Sequence, residues 1–178
     1  TELEIAQIVI EPKVSDEEKD NVINQLKSFK IDVEEKGLSF GSKAILYSQD
    51  PGSRSNGGKY TLHRKKPRMY KEFRDVAFSL RENEISDPFE TESGWHIIKV
   101  DKIRGQEIDI RHILLIPKVD PLMLAESKKI LDTLRKRIIQ EEISFKDAAI
   151  NFSSEKQTRN NGGLLINPTD GTNRFELT

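Results

Sequence analysis

The sequence contains no cysteine, which excludes disulfides and thiolate metal sites and fits an oxidising compartment, where a spare thiol is a liability. No stretch approaches the roughly 20 apolar residues needed to cross a bilayer as a helix. An excess of one charge is missing as well. Twenty-nine basic residues against 30 acidic leave a formal net charge of −1, so there is no electrostatic reason to expect nucleic acid or an anionic membrane as the main partner. The three histidines, His63, His96 and His112, show no metal-ligand spacing, and neither a metal nor another cofactor is expected. What remains is 35% hydrophobic and 33% charged residues over 178 positions, lean but adequate for one large domain or two small ones. The chain opens at Thr1 with neither an initiator Met nor a signal sequence, as expected of a processed or excised piece.

Against this plain background stands an internal repeat. Ala6-Gln7-Ile8-Val9-Ile10-Glu11-Pro12-Lys13-Val14 reads against Arg111-His112-Ile113-Leu114-Leu115-Ile116-Pro117-Lys118-Val119, an offset of 105 residues. With no gap, Ser39-Phe40 falls on Ser144-Phe145, Tyr47-Ser48 on Phe152-Ser153, and Gly57-Gly58 on Gly162-Gly163. Leu26, Phe29 and Val33 fall on Leu131, Leu134 and Ile138. A period of this length is that of a small domain rather than a solenoid unit. The expected organisation is one copy over residues 1–105 and the N-terminal part of a second over 106–178.

Each copy opens on an apolar, β-branched run read as a strand, ended by Pro12 or Pro117, which cannot donate to a ladder. Ser15 with Glu18 is a capping box that opens a helix towards Val33, with Leu26, Phe29 and Val33 on one face to pack on a sheet. Gly37 stops it. A second helical piece covers Phe40 to Tyr47, and Ser48 to Gly58 is turn-rich loop. Tyr70 to Leu80 has helical spacing, Phe89 to Thr91 is a strand, and Trp95 to Ile103 is a closing strand after a Ser93-Gly94 turn. Arg104 to Glu107 reads as the linker between copies. The class is α+β with antiparallel pairing.

Three segments of the first copy resemble the parvulin family of peptidyl-prolyl isomerases. They are Tyr47-Ser48-Gln49-Asp50-Pro51-Gly52-Ser53 with Asn56-Gly57-Gly58; Met69-Tyr70-Lys71-Glu72-Phe73 leading to Ala77-Phe78-Ser79-Leu80; and Glu84-Ile85-Ser86-Asp87-Pro88 with Ser93-Gly94-Trp95-His96-Ile97-Ile98-Lys99-Val100. Two adjoining copies are similar to the SurA-like group of periplasmic chaperones. The resemblance implies a parvulin fold, with a four-stranded antiparallel sheet, flanking helices and an incomplete second copy behind it. It also implies rotation about Xaa-Pro bonds in unfolded, extended polypeptides, and an extracytoplasmic location in a bacterial envelope. Met69, Phe73 and Tyr60 would form the floor for the proline ring. Asp50 would stand in the polar network with His96, Thr91 and Ser93. Gln7 occupies the place of the first family histidine, which the second copy keeps as His112; Glu155 there stands where the first copy has Asp50. Gly57-Gly58-Lys59-Tyr60-Thr61 departs from the family's Gly-Gly-Asp-Leu-Gly.

Plainer alternatives exist for each residue. A strand histidine is ordinarily a satisfied core residue, Met69 and Phe73 at helical spacing are ordinarily core, Asp50 before Pro51-Gly52 is a good turn former, and Gln7 is an ordinary polar strand residue. The basic run His63 to Arg68 reads as a solvated loop rather than a nucleic-acid patch. Asn56-Gly57-Gly58-Lys59 lacks the rest of a phosphate loop. Two functions stay open on the sequence: a prolyl isomerase with a weakened network, and a catalytically silent parvulin-fold holdase. The second copy stops before its own closing strands, which leaves Arg111 to Ile116 with an unpaired apolar edge and predicts self-association through that copy.

Overall fold

A computed structural model describes residues 2–66 and 68–176. In chain order its elements are β1 (Glu2–Glu4), α1 (Asp16–Glu34), α2 (Phe40–Tyr47), β2 (Lys59–His63), α3 (Lys71–Ser79), β3 (Phe89–Thr91), β4 (Gly94–Arg104), β5 (Glu107–Leu115), α4 (Pro121–Ile139), α5 (Phe145–Phe152) and β6 (Arg174–Glu176). The chain divides into a central unit, Ser15–Lys118, and a terminal unit made of Thr1–Val14 with Val119–Thr178.

The central unit is built on an antiparallel sheet in the order β2-β5-β4-β3. Its helices begin where the sequence places their caps. The Ser15 hydroxyl accepts the Glu18 N–H at 3.2 Å and Ser39 accepts the Ser42 N–H at 3.2 Å, each satisfying an amide that the first turn leaves orphaned. The apolar face of α1, Val22, Leu26 and Phe29, packs with Phe40 and Ala44 of α2 on Ile97, Ile113 and Leu115 of the sheet. Strand alternation sends the intervening residues to the other face. There Leu62, Ile98, Val100, Ile108 and Ile110 meet Phe73 and Ala77 of α3. The sheet is thus covered on both sides, with a site-bearing face under α3.

Three expectations about strands change. Arg104 to Glu107 is no linker: Arg104 pairs with Glu107 across Gly105, whose φ of 59° suits a tight turn, and β4 and β5 form one long hairpin. The run from Arg111 keeps no open edge, because β5 is an inner strand with β2 on one side and β4 on the other. Its backbone donors and acceptors are engaged, so the basis for association through that strand is gone. The stretch after Gly58, unassigned on the sequence, is the edge strand β2.

The terminal unit pairs β1 with β6, and the strand expected over Ala6 to Ile10 is reduced to a single bridge from Ala6 to Leu164. Gln7 lies here, where its N–H donates to the Gly163 carbonyl at 2.9 Å. Helices α4 and α5 bury Leu134, Ala148 and Ala149. Phe145 remains 38% exposed, whereas the residue 105 positions earlier, Phe40, is 4% exposed. The sheet that covers α1 and α2 has no full counterpart among the described residues of this unit.

Candidate active site

The site is assembled on the α3-facing side of the central sheet. Ile98 is the direct partner of His112 and Leu114 that of His96, so the two histidines sit on adjacent strands, staggered by two residues and pointing to the same face. Both are buried, at 3% and 4% exposure. Their rings lie nearly parallel at 5.6 Å between centroids, and Phe73 of α3 meets both edge-on, at 5.4 Å and 5.3 Å. Phe89 stacks on His96 at 5.5 Å and Tyr60 flanks His112 at 5.4 Å.

A hydrogen-bonded line runs through these rings. Thr91 Oγ1 is 2.8 Å from His96 Nε2, His96 Nδ1 is 3.4 Å from His112 Nδ1, and His112 Nε2 is 2.9 Å from Asp50 Oδ2. Ser53 Oγ also lies 2.9 Å from His112 Nε2 and donates to Asp50 Oδ2. The Tyr60 hydroxyl donates to the same oxygen at 3.1 Å, and the Gly52 N–H donates to Oδ1 at 3.2 Å. Burial pushes the Asp50 carboxyl up, but the hydrogen bonds from Ser53, His112 and the Gly52 amide outweigh it and hold the group down at about 2. It is therefore a carboxylate at neutral pH and only accepts.

That fixes the protons along the line. His112 donates from Nε2 to Asp50 and accepts at Nδ1; His96 donates from Nδ1 and accepts at Nε2 from the Thr91 hydroxyl, which itself accepts the Ser93 N–H at 3.1 Å. Both rings are neutral in this arrangement. Burial, then the neighbouring His112, lowers His96 to about 3, and burial lowers His112 despite the opposing pull of Asp50. Burial, with Asp50 beside it, raises the Tyr60 hydroxyl, so it stays protonated and available as a donor.

Of the residues expected from the sequence, Asp50, Tyr60, Phe73, Thr91 and His96 come together here, and Met69 packs half-buried on the same apolar cluster. Ser93 takes part through its backbone, and its hydroxyl donates to the Tyr70 hydroxyl at 3.2 Å. One placement is corrected. Gln7 is not the partner of His96; His112 is, because β5 and not the first strand lies beside β4. Glu155 belongs to the terminal unit, where its side chain accepts the Gln157 N–H at 3.1 Å. Ser53, Phe89 and Tyr70 were given no role on the sequence. Ser53 had a signal, standing three residues after Asp50, the spacing that lets a hydroxyl close a turn onto a carboxylate. A shallow cleft of about 420 Å³, lined by Tyr70, Glu72, Glu90, Thr91 and Glu92, opens beside the Thr91 end of the line. Among the described residues no group of His, Asp and Glu is arranged to hold a metal.

The chain matches the rotamase family, the PPIC-type PPIASE domain, over residues 8–102 and 112–177. The foldase protein PrsA of Geobacillus kaustophilus is 48% identical over 66 residues, 37% of this chain and 23% of that protein. PrsA of Oceanobacillus iheyensis is 36% identical over 123 residues, 68% of this chain and 39% of that protein. The chaperone SurA of Methylococcus capsulatus is 29% identical over 161 residues, 87% of this chain and 33% of that protein. The chain spans less than half the length of each of these relatives. With a family match over most of its residues, and paired buried histidines tied to an aspartate under an aromatic floor, the chain belongs to the PPIC-type, or parvulin, family of peptidyl-prolyl isomerases.

Proposed function

We propose that this chain rotates Xaa-Pro bonds in extended, unfolded polypeptides and acts as a folding helper outside the cytoplasm, on proteins of the bacterial envelope. The observation that carries the reading is the continuous line Thr91–His96–His112–Asp50 beneath Phe73. Spontaneous rotation takes tens to hundreds of seconds over a barrier of about 20 kcal/mol, set by amide resonance. No bond is made or broken, so no nucleophile is needed. The planar amide is the more dipolar state and the twisted one the less dipolar, so a dry apolar seat favours the twisted form.

The half-buried Met69 and Phe89 line that seat, and Phe73, buried at 2% exposure, packs in the same cluster and backs it. The neutral imidazoles, each held in one tautomer, keep the polar floor rigid without placing a full charge under the proline ring. A thousandfold acceleration needs about 4 kcal/mol of such differential stabilisation, within reach of desolvation plus a few oriented dipoles. Extracytoplasmic action is in keeping with the absence of cysteine and with the PrsA and SurA relatives.

The rival reading, a silent holdase, rests on Gln7, which lies in the terminal unit, and on the altered Lys59-Tyr60-Thr61, of which Tyr60 donates to Asp50. A proline-peptide isomerisation assay separates the two. Turnover above the uncatalysed rate that falls to background in Phe73→Ala is expected. Peptide binding by the parent with no turnover establishes the holdase instead.

A further inference from the structure

The sequence repeat and the hydrogen-bond pattern give different answers about which strand belongs to which copy. In the central unit the His112 N–H donates to the Gly58 carbonyl at 2.9 Å, Gln49 N–H to Leu114 O at 2.8 Å, and Leu114 N–H to the Ser48 hydroxyl at 3.2 Å. Shift every residue by 105 and the same three bonds exist in the terminal unit. Gln7 N–H donates to Gly163 O at 2.9 Å, Ser154 N–H to Val9 O at 2.7 Å, and Val9 N–H to the Ser153 hydroxyl at 3.2 Å. Gly58 and Gly163 share a left-handed φ of 78° and 82°. A Cβ on either would collide with the carbonyl oxygen of the strand it cradles, His112 or Gln7. The two cradles are therefore equivalent, and each holds the opening segment of the other copy, β5 in one and the run from Gln7 to Val9 in the other.

We infer that the two repeats exchange first strands, so that the isomerase site is a composite: its body comes from the first copy, and its second histidine comes from the second. This rests on the proposed isomerase activity only for its kinetic consequence, not for its structural test. Complementarity favours the exchange. Arg111 donates from Nη1 to the Gly57 carbonyl at 3.0 Å and from Nε to Asp101 Oδ2 at 2.8 Å; its counterpart Ala6 can do neither. His112 donates to Asp50 and stacks on His96; its counterpart Gln7 has no ring to present to Phe73. Chain connectivity favours it too. β5 follows β4 through a two-residue turn, the shortest closure available, whereas residues 6–10 would have to close a loop of most of a domain to reach β4. The loss of a histidine at position 7 is then no defect of the site, because that position lies outside it.

The absence of native cysteine makes the test direct. Thr61 and Asp109 are paired across β2 and β5 with side-chain oxygens 2.7 Å apart. Exchange predicts that Thr61→Cys with Asp109→Cys forms an intramolecular disulfide on mild oxidation. It also predicts that Thr61→Cys with Glu4→Cys, the pair an unexchanged strand would bring together, does not. Mapping the bond by peptide mass in the monomer fraction reads the result; a bond in the second pair overturns the exchange. Should the paired substitutions fail to fold, Hα–Hα contacts measured by NMR in the unaltered chain decide. Ile98 against His112 supports the exchange, and Ile98 against Gln7 refutes it. In the isomerase assay Gln7→His should leave turnover unchanged while His112→Gln lowers it at least about tenfold. A rise in turnover with Gln7→His would overturn the proposal, while a parent chain with no turnover counts against the isomerase reading and leaves the strand test standing.

Discussion

Replacing Asp50 by Asn tests the electrostatics of the site most directly. The carboxylate accepts four hydrogen bonds, from Ser53, Tyr60, His112 and the Gly52 amide, and its pKa falls from an ordinary 3.8 to about 2. A shift of that size corresponds to about 2–3 kcal/mol of preference for the ionised form in the folded state. Asn keeps an acceptor oxygen, so part of the hydrogen bonding survives, and a loss of about 1–2 kcal/mol at pH 7 is expected. For a domain of this size that lowers Tm by roughly 4–8 °C per kcal/mol. The pH dependence carries the stronger test. Because the folded pKa is depressed, the contribution is fully present above about pH 4 and disappears as pH falls towards 2. The difference between parent and variant should therefore be constant from pH 7 to about 4 and shrink below it. Trp95 is the single tryptophan and packs half-buried on the α1-side core, so its fluorescence during urea unfolding reports on this unit. Equal stability of the two proteins at pH 7, or a gap unchanged at pH 2.5, would refute the assignment of Asp50 as the charged anchor of the line.

Further outcomes follow from the same geometry. With burial holding His96 near 3 and His112 below its usual range, kcat/KM for a proline peptide should be flat between about pH 5.5 and 8; an inflection near the ordinary histidine value of about 6.5 would mean that a charged imidazole takes part. The sign for stability is opposite to that of a salt-bridged histidine. The unfolded chain takes up these protons first, so the central unit loses stability as pH drops below about 6.5, measurable by the same urea titration. Phosphorylated Ser-Pro or Thr-Pro peptides should bind no better than their unmodified twins, because the cleft beside Thr91 is lined by Glu72, Glu90 and Glu92 and like charges disfavour a phosphate there. Calorimetric titration with matched peptides checks this, and tighter binding of the phosphopeptide would contradict it.

How much of this was legible in advance depended on whether the signal was local. Ser15 with Glu18, and Leu26 with Phe29, settle α1 from a few consecutive residues, since capping and a 3.6-residue stripe need no knowledge of the rest of the chain. The Asp50-Pro51-Gly52-Ser53 turn, the Met69 to Phe73 helix start and the Ser93-Gly94 turn before His96 were readable for the same reason, and with the family resemblance they named the fold. The 105-residue repeat was equally visible, as a property of letters alone. What letters could not give was the partner of β4. Two strands of nearly equal pattern, Ala6 to Ile10 and Arg111 to Leu115, compete for one central slot, and apolar alternation cannot rank them because both satisfy it. The tertiary structure decides through terms distant in sequence. These are the fit of the Arg111 guanidinium to Asp101 and Gly57, that of the His112 imidazole to Asp50 and His96, and the two-residue turn that brings β5 back along β4. That choice, rather than any residue type in the first copy, puts a second histidine in the site.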